Sequence, residues 1–362
     1  MGAQDTDCMK LVRPLGLLLG LAIAMLQGCA PPSRLSDESP RPLAELEGWS
    51  HERFESLGAA LEQQCRSARL LGPWTQWCAQ LPRGANELQW RQWLEKRFVA
   101  RPQWAPSAAG ARSDQGLVTG YFEPLLTGSR QRERPDQVPV LALPVDLIAG
   151  SAAWTRQAIE TSPSLPTRAL MWLDDPIDAF FLHVQGSGQV KLRESNGAPR
   201  GVRLAYAGHN GHPYSAIGRT MVARGLISRE QADAPGIQRW LRDHPQRRDE
   251  ILHTNPRYIF FAEQPLSPGV VPGPRGSLGV ALTAQRSIAV DPQHVPLGSL
   301  VWVDTVHPVT QAPMRRLLVA QDTGSAIIGP IRIDVFWGSG EEAARAAGLA
   351  RHAGRLWVLE PR

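Results

Sequence analysis

Apolar residues recur at helical spacing early in the chain and give way to alternating, β-branched runs further on, and this change of period divides the sequence. Between residues 42 and 98, Phe54, Leu57, Leu61 and Cys65 fall three or four residues apart, as do Trp90, Leu94 and Phe98 after a Gly72-Pro73-Trp74 turn, which predicts helices. From Leu117 onward the segments Leu117-Val118-Thr119-Gly120-Tyr121-Phe122-Glu123-Pro124, Val138-Pro139-Val140-Leu141-Ala142-Leu143, Phe180-Phe181-Leu182-His183-Val184-Gln185 and Val190-Lys191-Leu192 read as strands. A helical insert follows at residues 217–222, and Ser228-Arg229-Glu230-Gln231 reads as a capping box opening a second helix that carries Ile237, Trp240 and Leu241. The strand pattern returns at Tyr258-Ile259-Phe260-Phe261 and continues to Leu356-Trp357-Val358-Leu359, broken by an alanine-rich helix over residues 341–350. Pro268-Gly269 and Pro272-Gly273-Pro274 mark a linker, and no internal repeat is visible. The pattern predicts a mainly β protein with a helical N-terminal part, a barrel near the C-terminus and a second β-rich domain inserted before it.

The N-terminal pattern is of another kind. Lys10 and Arg13 flank an apolar run over residues 15–26, roughly a dozen residues, which suits a signal-peptide core and is too short to span a bilayer. The run ends in Leu26-Gln27-Gly28-Cys29, similar to a bacterial lipobox, so residues 1–28 are expected to be cleaved and Cys29 to carry lipid. Ala30 after the cysteine implies sorting to the outer membrane in that system, with a proline-rich tether over residues 29–42. Cleavage removes Asp5 and Asp7 together with Lys10 and Arg13, so the formal charge stays at +5. The basic residues are nearly all arginine and dispersed, which argues against a nucleic-acid patch. Cys65 and Cys78 remain, and an oxidising compartment permits but does not require a bridge between them.

Candidate chemistry concentrates near the C-terminus. Arg316-Leu317-Leu318-Val319-Ala320-Gln321-Asp322 and Ile331-Arg332-Ile333-Asp334 read as apolar strands that finish on an aspartate, and Arg286-Ser287-Ile288-Ala289-Val290-Asp291 makes a third. A carboxyl at the rim of a packed β core is partly desolvated and becomes an acid near neutral pH. Cleaving a glycosidic bond needs such a proton donor, and ordinary hydrolases add a second carboxylate, for which Asp322 and Asp334 offer a pair. Strand-end aspartates also cap turns, which is the bland alternative for each taken singly. Of the twelve tryptophans, Trp90, Trp93, Trp302 and Trp357 sit where a core would use them, whereas Trp172 and Trp337 lie beside turns and could face a sugar. Three oxygen ligands would suit magnesium or calcium, but no ligand-dense loop, His-Glu-x-x-His or Cys-x-x-Cys spacing occurs, so no metal or other cofactor is expected. Gly186-Ser187-Gly188 lacks the flanks of a nucleophile elbow.

Several motifs in one order then carry a resemblance: the lipobox, Thr119-Gly120-Tyr121-Phe122-Glu123-Pro124, His183-Val184-Gln185-Gly186-Ser187-Gly188, Tyr206-Ala207-Gly208-His209-Asn210-Gly211-His212-Pro213-Tyr214, Asn255-Pro256-Arg257-Tyr258 and the three aspartates. From about Leu117 to the end the chain resembles the membrane-bound lytic murein transglycosylase A family. The resemblance implies a double-ψ β-barrel domain from residues 43–125 and 268–362, an inserted β domain from 126–267, and a glycan groove between them. It implies a peptidoglycan lytic exotransglycosylase, a lyase that cuts the β-1,4 MurNAc–GlcNAc bond without water and leaves 1,6-anhydro-MurNAc ends. Asp334 would be the single acid and base, Asp322 would tune it and Asp291 would hold the site. Thr119, Tyr121, Glu123, Gln185, Gly186, Ser187, Asn210, Tyr214 and Trp337 would contact substrate. Partners would be peptidoglycan strands, the outer membrane through the lipid on Cys29, and cell-wall synthesis or division proteins, with no nucleic acid. Ser325, Ile328 and Ile333 depart from the family's usual glycine, basic residue and glycine. A hydrolase using the aspartate pair and a non-catalytic wall-binding lipoprotein are the other two readings.

Overall fold

A computed structural model describes residues 39–70, 72, 74–106, 112–147, 154–162, 164, 167–193, 200–266 and 273–362. The expected signal segment, Cys29, most of the tether and the linker motif at 268–272 lie outside these residues. Arg41–Pro42 (β1), at the end of the expected tether, pairs with Ala100 and Val99 of β2 (Phe98–Pro102). Between them run α1 (Leu57–Gln64), α2 (Trp74–Ala79) and α3 (Glu87–Arg97). Asn86 and Gln89 form a capping box that starts α3, satisfying backbone N–H groups that the first turn leaves without partners. Cys65 and Cys78 are joined by a disulfide, their Cα atoms 5.6 Å apart. Two short strands, β3 (Ala105–Pro106) and β4 (Arg112–Ser113), pair with each other.

Six strands close into a barrel: β5 (Gly116–Glu123), β12 (Ser287–Val290), β13 (Leu300–Val306), β14 (Pro313–Thr323), β15 (Arg332–Ser339) and β16 (Arg351–Pro361). Their order is β16-β13-β14-β12-β15-β5, and β5 returns to pair with β16. This is the double-ψ barrel the resemblance implied, and both faces of its central strands are buried. Val301, Val303, Leu318 and Ala320 fill the interior, while Leu300, Trp302, Leu317 and Val319 pack outward on Trp49, Leu57 and Leu61 of the helical part. Burial on two sides explains why these strands read as continuous apolar runs. One end of the barrel is covered by α9 (Glu341–Leu349).

A second sheet holds β6 (Leu125–Ser129), β7 (Val138–Leu141), β8 (Ala169–Leu173), β9 (Gly188–Arg193), β10 (Arg200–His209) and β11 (Ile259–Pro265), in the order β11-β10-β9-β6-β8-β7. A bridge between Ala142 and Phe261 brings its two edges together. Helices α4 (Arg156–Thr161), α5 (Pro176–Gln185), α6 (Ile217–Ala223), α7 (Ala234–Asp243) and α8 (Arg248–Leu252) complete this part, the last four sharing a small core of Phe180, Met221, Leu241 and Ile251.

Two expectations need correction. Residues 180–185 belong to helix α5 and not to a strand. Asp175 caps its N-terminus through the N–H groups of Ile177 and Asp178, Pro176 occupies its first turn, and Gly186 ends it at φ 81°. The Ser228–Gln231 bonds do form, at 3.0 and 3.4 Å, but α7 begins at Ala234 with Asp233 as its cap.

Candidate active site

The site grows out of strand register. Ala289 of β12 lies opposite Asp322 of β14 on one side and Asp334 of β15 on the other, and Asp334 lies opposite Thr119 of β5. Directly paired residues share a face, so Asp322, Ala289, Asp334 and Thr119 form a row across four strands, with alanine leaving room between the acids. Strict alternation from Leu318 and Ala320 would turn Asp322 into the barrel. A register shift between Ile288 and Ala289 supplies one extra residue on β14, Gln321, and re-aims Asp322 outward. Gln321 is itself buried and held by bonds to Ser287 and to the Ala60 carbonyl. Because β12 and β14 run parallel and β15 runs against them, Asp322 sits near its strand's end while Asp334 is only the third residue of β15, so it does not finish a strand as expected.

Each carboxylate has a distinct environment. Asp334 Oδ1 accepts a bond from the Thr119 hydroxyl at 2.6 Å, and Thr119 accepts one from Arg332 at 2.8 Å. Among the described residues nothing donates to Asp334 Oδ2. Surrounding protein displaces most of the water from this group, and burial raises its pKa to about 6 against the lowering effects of Thr119 and Arg332. Asp322 Oδ1 accepts from the Ser277 N–H and hydroxyl at 2.9 and 3.0 Å, and Oδ2 accepts from Tyr121 at 2.9 Å. Burial raises its pKa as well, opposed by these bonds. Gly276 brings Ser277 close: a Cβ there would lie 2.6 Å from the Gln321 carbonyl. Tyr121 rests on Phe336 with ring centroids 5.3 Å apart, and burial holds its hydroxyl well above the ordinary value, so it stays a donor.

The acids open on a groove of about 590 Å³ between the barrel and the second sheet. Tyr121, Gln185, Gly186 and Ser187 line it, as expected, and the Gln185 side chain also accepts a bond from the Phe122 N–H at 3.1 Å, linking α5 to the barrel. Asp291 is outside the groove. Its carboxylate accepts bonds from the Gln293 and Gly329 N–H groups at 3.0 and 2.8 Å, which lower its pKa and tie the loop after β14 to the end of β12.

Other expected contact residues are placed elsewhere. Glu123 is buried and paired with Arg203 at 2.6 and 3.0 Å and with Gln189 at 2.7 Å. Asn210 is buried and bonds the backbone of Trp154, Pro256 and Tyr258. Tyr214 does not line the groove. Trp337 is buried over Gly120, where a Cβ would come within 2.5 Å of its Nε1, and is turned toward His307. Trp172 lies under Arg132 and outside the groove. Ser325 lines the groove, whereas Ile328 is exposed outside it. The sequence reading missed Ser277, Gln264, Arg69 and Arg275 and gave no site role to Tyr206 and Arg257, which stood in its motifs; all six line the groove from loops and from the far sheet. A smaller cavity of about 180 Å³ lies beside His183 and Arg156, but that arginine is already paired with Glu160 at 2.7 Å.

A closed barrel carrying this acid row, with a second β unit forming the facing wall, matches one class of protein. Residues 117–262 match the family model of the MltA specific insert domain, and residues 286–360 match that of the 3D domain. A lytic transglycosylase, LtgG, of Burkholderia pseudomallei is 40% identical and superposes with a TM-score of 0.61, covering 90% of this chain and 95% of that one. Escherichia coli MltA with bound chitohexaose is 26% identical with a TM-score of 0.67, covering 90% and 92%. The membrane-bound lytic murein transglycosylase A of Escherichia coli strain K12 is 29% identical over 248 residues, 67% of this chain. That match spans 65% of the length of the Escherichia coli protein. The chain belongs to the membrane-bound lytic murein transglycosylase A family.

Proposed function

We propose that this protein is a lytic transglycosylase that cuts the β-1,4 bond between N-acetylmuramic acid and N-acetylglucosamine in peptidoglycan, with Asp334 as its only acid and base. The observation that carries the reading is the difference between the two carboxylates. Asp334 has a pKa of about 6 and a free oxygen, while both oxygens of Asp322 are occupied by fixed donors and so are poorly placed to activate water. In the first step the Asp334 carboxyl protonates the glycosidic oxygen as the C1–O bond breaks. In the second its carboxylate takes the proton of the muramic C6 hydroxyl as O6 closes on C1, which regenerates the acid. An internal nucleophile already held near C1 makes a second catalytic carboxylate unnecessary. The chitohexaose held by the Escherichia coli relative supports a groove for β-1,4 amino-sugar chains here too.

Product masses test the reading. Purified peptidoglycan digested with residues 30–362 should release muropeptides one water lighter than hydrolytic products and inert to borohydride. Reducible products would make the protein a hydrolase, and no products would leave a wall-binding module.

Asp322 also sets the pH dependence. After burial and its hydrogen bonds, the charge of Asp322 adds to the rise at Asp334. Asp322→Asn removes that charge, lowers the Asp334 pKa, and should move the alkaline limb of kcat/KM to lower pH while cutting activity by about 10–100-fold. An unmoved limb would detach Asp322 from this role.

On the same reading the lipid on Cys29 holds the enzyme at the inner face of the outer membrane. Replacing residues 1–29 by a cleavable signal peptide without a lipobox should shift the chain from the membrane pellet to the soluble periplasmic fraction; continued sedimentation with outer membranes would sink the anchor.

A further inference from the structure

The groove carries more basic than acidic side chains. Its acidic lining is Asp322 and Asp334, of which Asp334 keeps its proton below about pH 6, whereas Arg69, Arg257 and Arg275 bring three guanidinium groups. Some arginines elsewhere are neutralised by carboxylates, as Arg193 is by Glu133 and Arg315 by Asp304, while others such as Arg132 and Arg362 donate to backbone carbonyls. The three groove arginines also donate to backbone carbonyls: Arg69 to Ser277 at 2.7 Å, Arg257 to His212 at 3.0 Å, and Arg275 to Gly279. Among the described residues none of them forms an ion pair with a carboxylate.

Their placement is two-sided. Arg69 and Arg275 bracket one turn, residues 276–279, with the Arg69 side chain lying over Gly279. The same turn carries Ser277, which holds Asp322, so these two charges are fixed beside the acid row on the barrel wall. Arg257 stands on the opposite wall with Tyr206, where burial lowers its pKa without neutralising it. A guanidinium anchored through one nitrogen keeps other N–H donors for a planar anion, and carboxylate is the group that its fork fits. A glycan of N-acetylglucosamine alone has no such group.

We propose that Arg69 and Arg275, faced by Arg257, recognise carboxylates carried on the lactyl arm of the muramic residues, making the groove selective for anionic glycan over neutral β-1,4 amino-sugar chains. This rests on the peptidoglycan reading above. The carboxylate has two sources: the lactyl group itself in peptide-free strands, or the stem peptide where the lactyl group is amidated by it.

Equilibrium binding separates these, measured on the full chain carrying Asp334→Asn so that no substrate is consumed. Three probes are compared: chitohexaose, which has no carboxylate, peptide-free glycan strands of similar length, and the same strands bearing stem peptides. The proposal expects carboxylate-bearing strands to bind at least tenfold more tightly than chitohexaose at low salt, with the advantage shrinking as salt rises. R69Q/R275Q should remove most of that advantage while changing chitohexaose affinity less than twofold. R257Q, on the other wall, should reduce it independently, and unchanged thermal unfolding midpoints establish that each variant is folded. The probe whose advantage collapses identifies the source. Equal affinity for all three probes in the parent, or an equal loss for chitohexaose in the variants, overturns the proposal. Because binding is read, this failure is distinct from failure of the cleavage mechanism, which product masses decide.

Discussion

On the proposed mechanism Asp334→Asn should abolish glycan cleavage, by at least about a thousandfold, and at the same time make the fold more stable at neutral pH. The first effect follows from chemistry, since an amide can neither give the proton to the glycosidic oxygen nor take one from the C6 hydroxyl. The second follows from linkage. In the unfolded chain Asp334 ionises near 3.8, whereas in the fold burial moves it to about 6. Between these values the folded state holds the extra proton, so stability is lost as pH rises through that window. Two units correspond to about 3 kcal/mol, present as a penalty above pH 6 and absent below about pH 4. Asparagine keeps an oxygen for the Thr119 hydroxyl and carries no charge to desolvate. Urea unfolding of both proteins at pH 7.5 and pH 4 checks this: the variant should lead by about 2–3 kcal/mol at the higher pH and by nothing at the lower. An asparagine variant less stable than wild type at pH 7.5, or one that still releases anhydro products, would move the acid to another residue. The wild-type kcat/KM should correspondingly fall as pH rises past about 6, since only the protonated form starts the reaction.

Much of this site was readable from strand logic, and what was misread shows where that logic needs help. The three aspartates were found because apolar runs that end in a carboxylate are conspicuous. Placing two of them in one row depended on a bulge at Gln321 that no periodicity reveals, because the extra residue is defined only by its partner strand. Trp337 was legible and was read wrongly: residues three apart in a strand face opposite ways, so a groove-facing Asp334 already sends Trp337 to the other side. Residues 180–185 look like a strand because a buried helix and a buried strand give the same short apolar run. Asp175-Pro176 before it and Gly186 after it were the deciding signals, a cap with proline in the first turn and a glycine stop. Ser277, Arg69 and Arg275 left no trace in any pattern, and Arg257 stood in a motif without a role of its own, since loops reach the site through closure of the tertiary fold.

Glu123→Ala should cost about 3–5 kcal/mol of stability, because Glu123 joins the two β units through its bonds to Arg203 and Gln189. It ends β5, the barrel strand that carries Thr119 and Tyr121, yet its carboxylate points into the second sheet and meets Arg203 of β10 and Gln189 of β9. Both charged groups are nearly closed to water, Glu123 at 1% and Arg203 at 7% exposure. Removing the carboxylate takes the counter-charge from a buried guanidinium, and desolvation of that cation is then poorly offset. The double variant E123A/R203A should lose less than the sum of the two single changes, since one interaction is counted in both. Function should suffer through the groove: its two walls come from the units that this pair joins, so loosening the pair should raise KM more than it lowers kcat. Thermal unfolding together with kinetics on purified glycan strands separates the possibilities. A variant within about 1 kcal/mol of wild type that nevertheless loses binding would return Glu123 to the substrate, whereas a large drop in stability with kcat largely kept would establish the joining role.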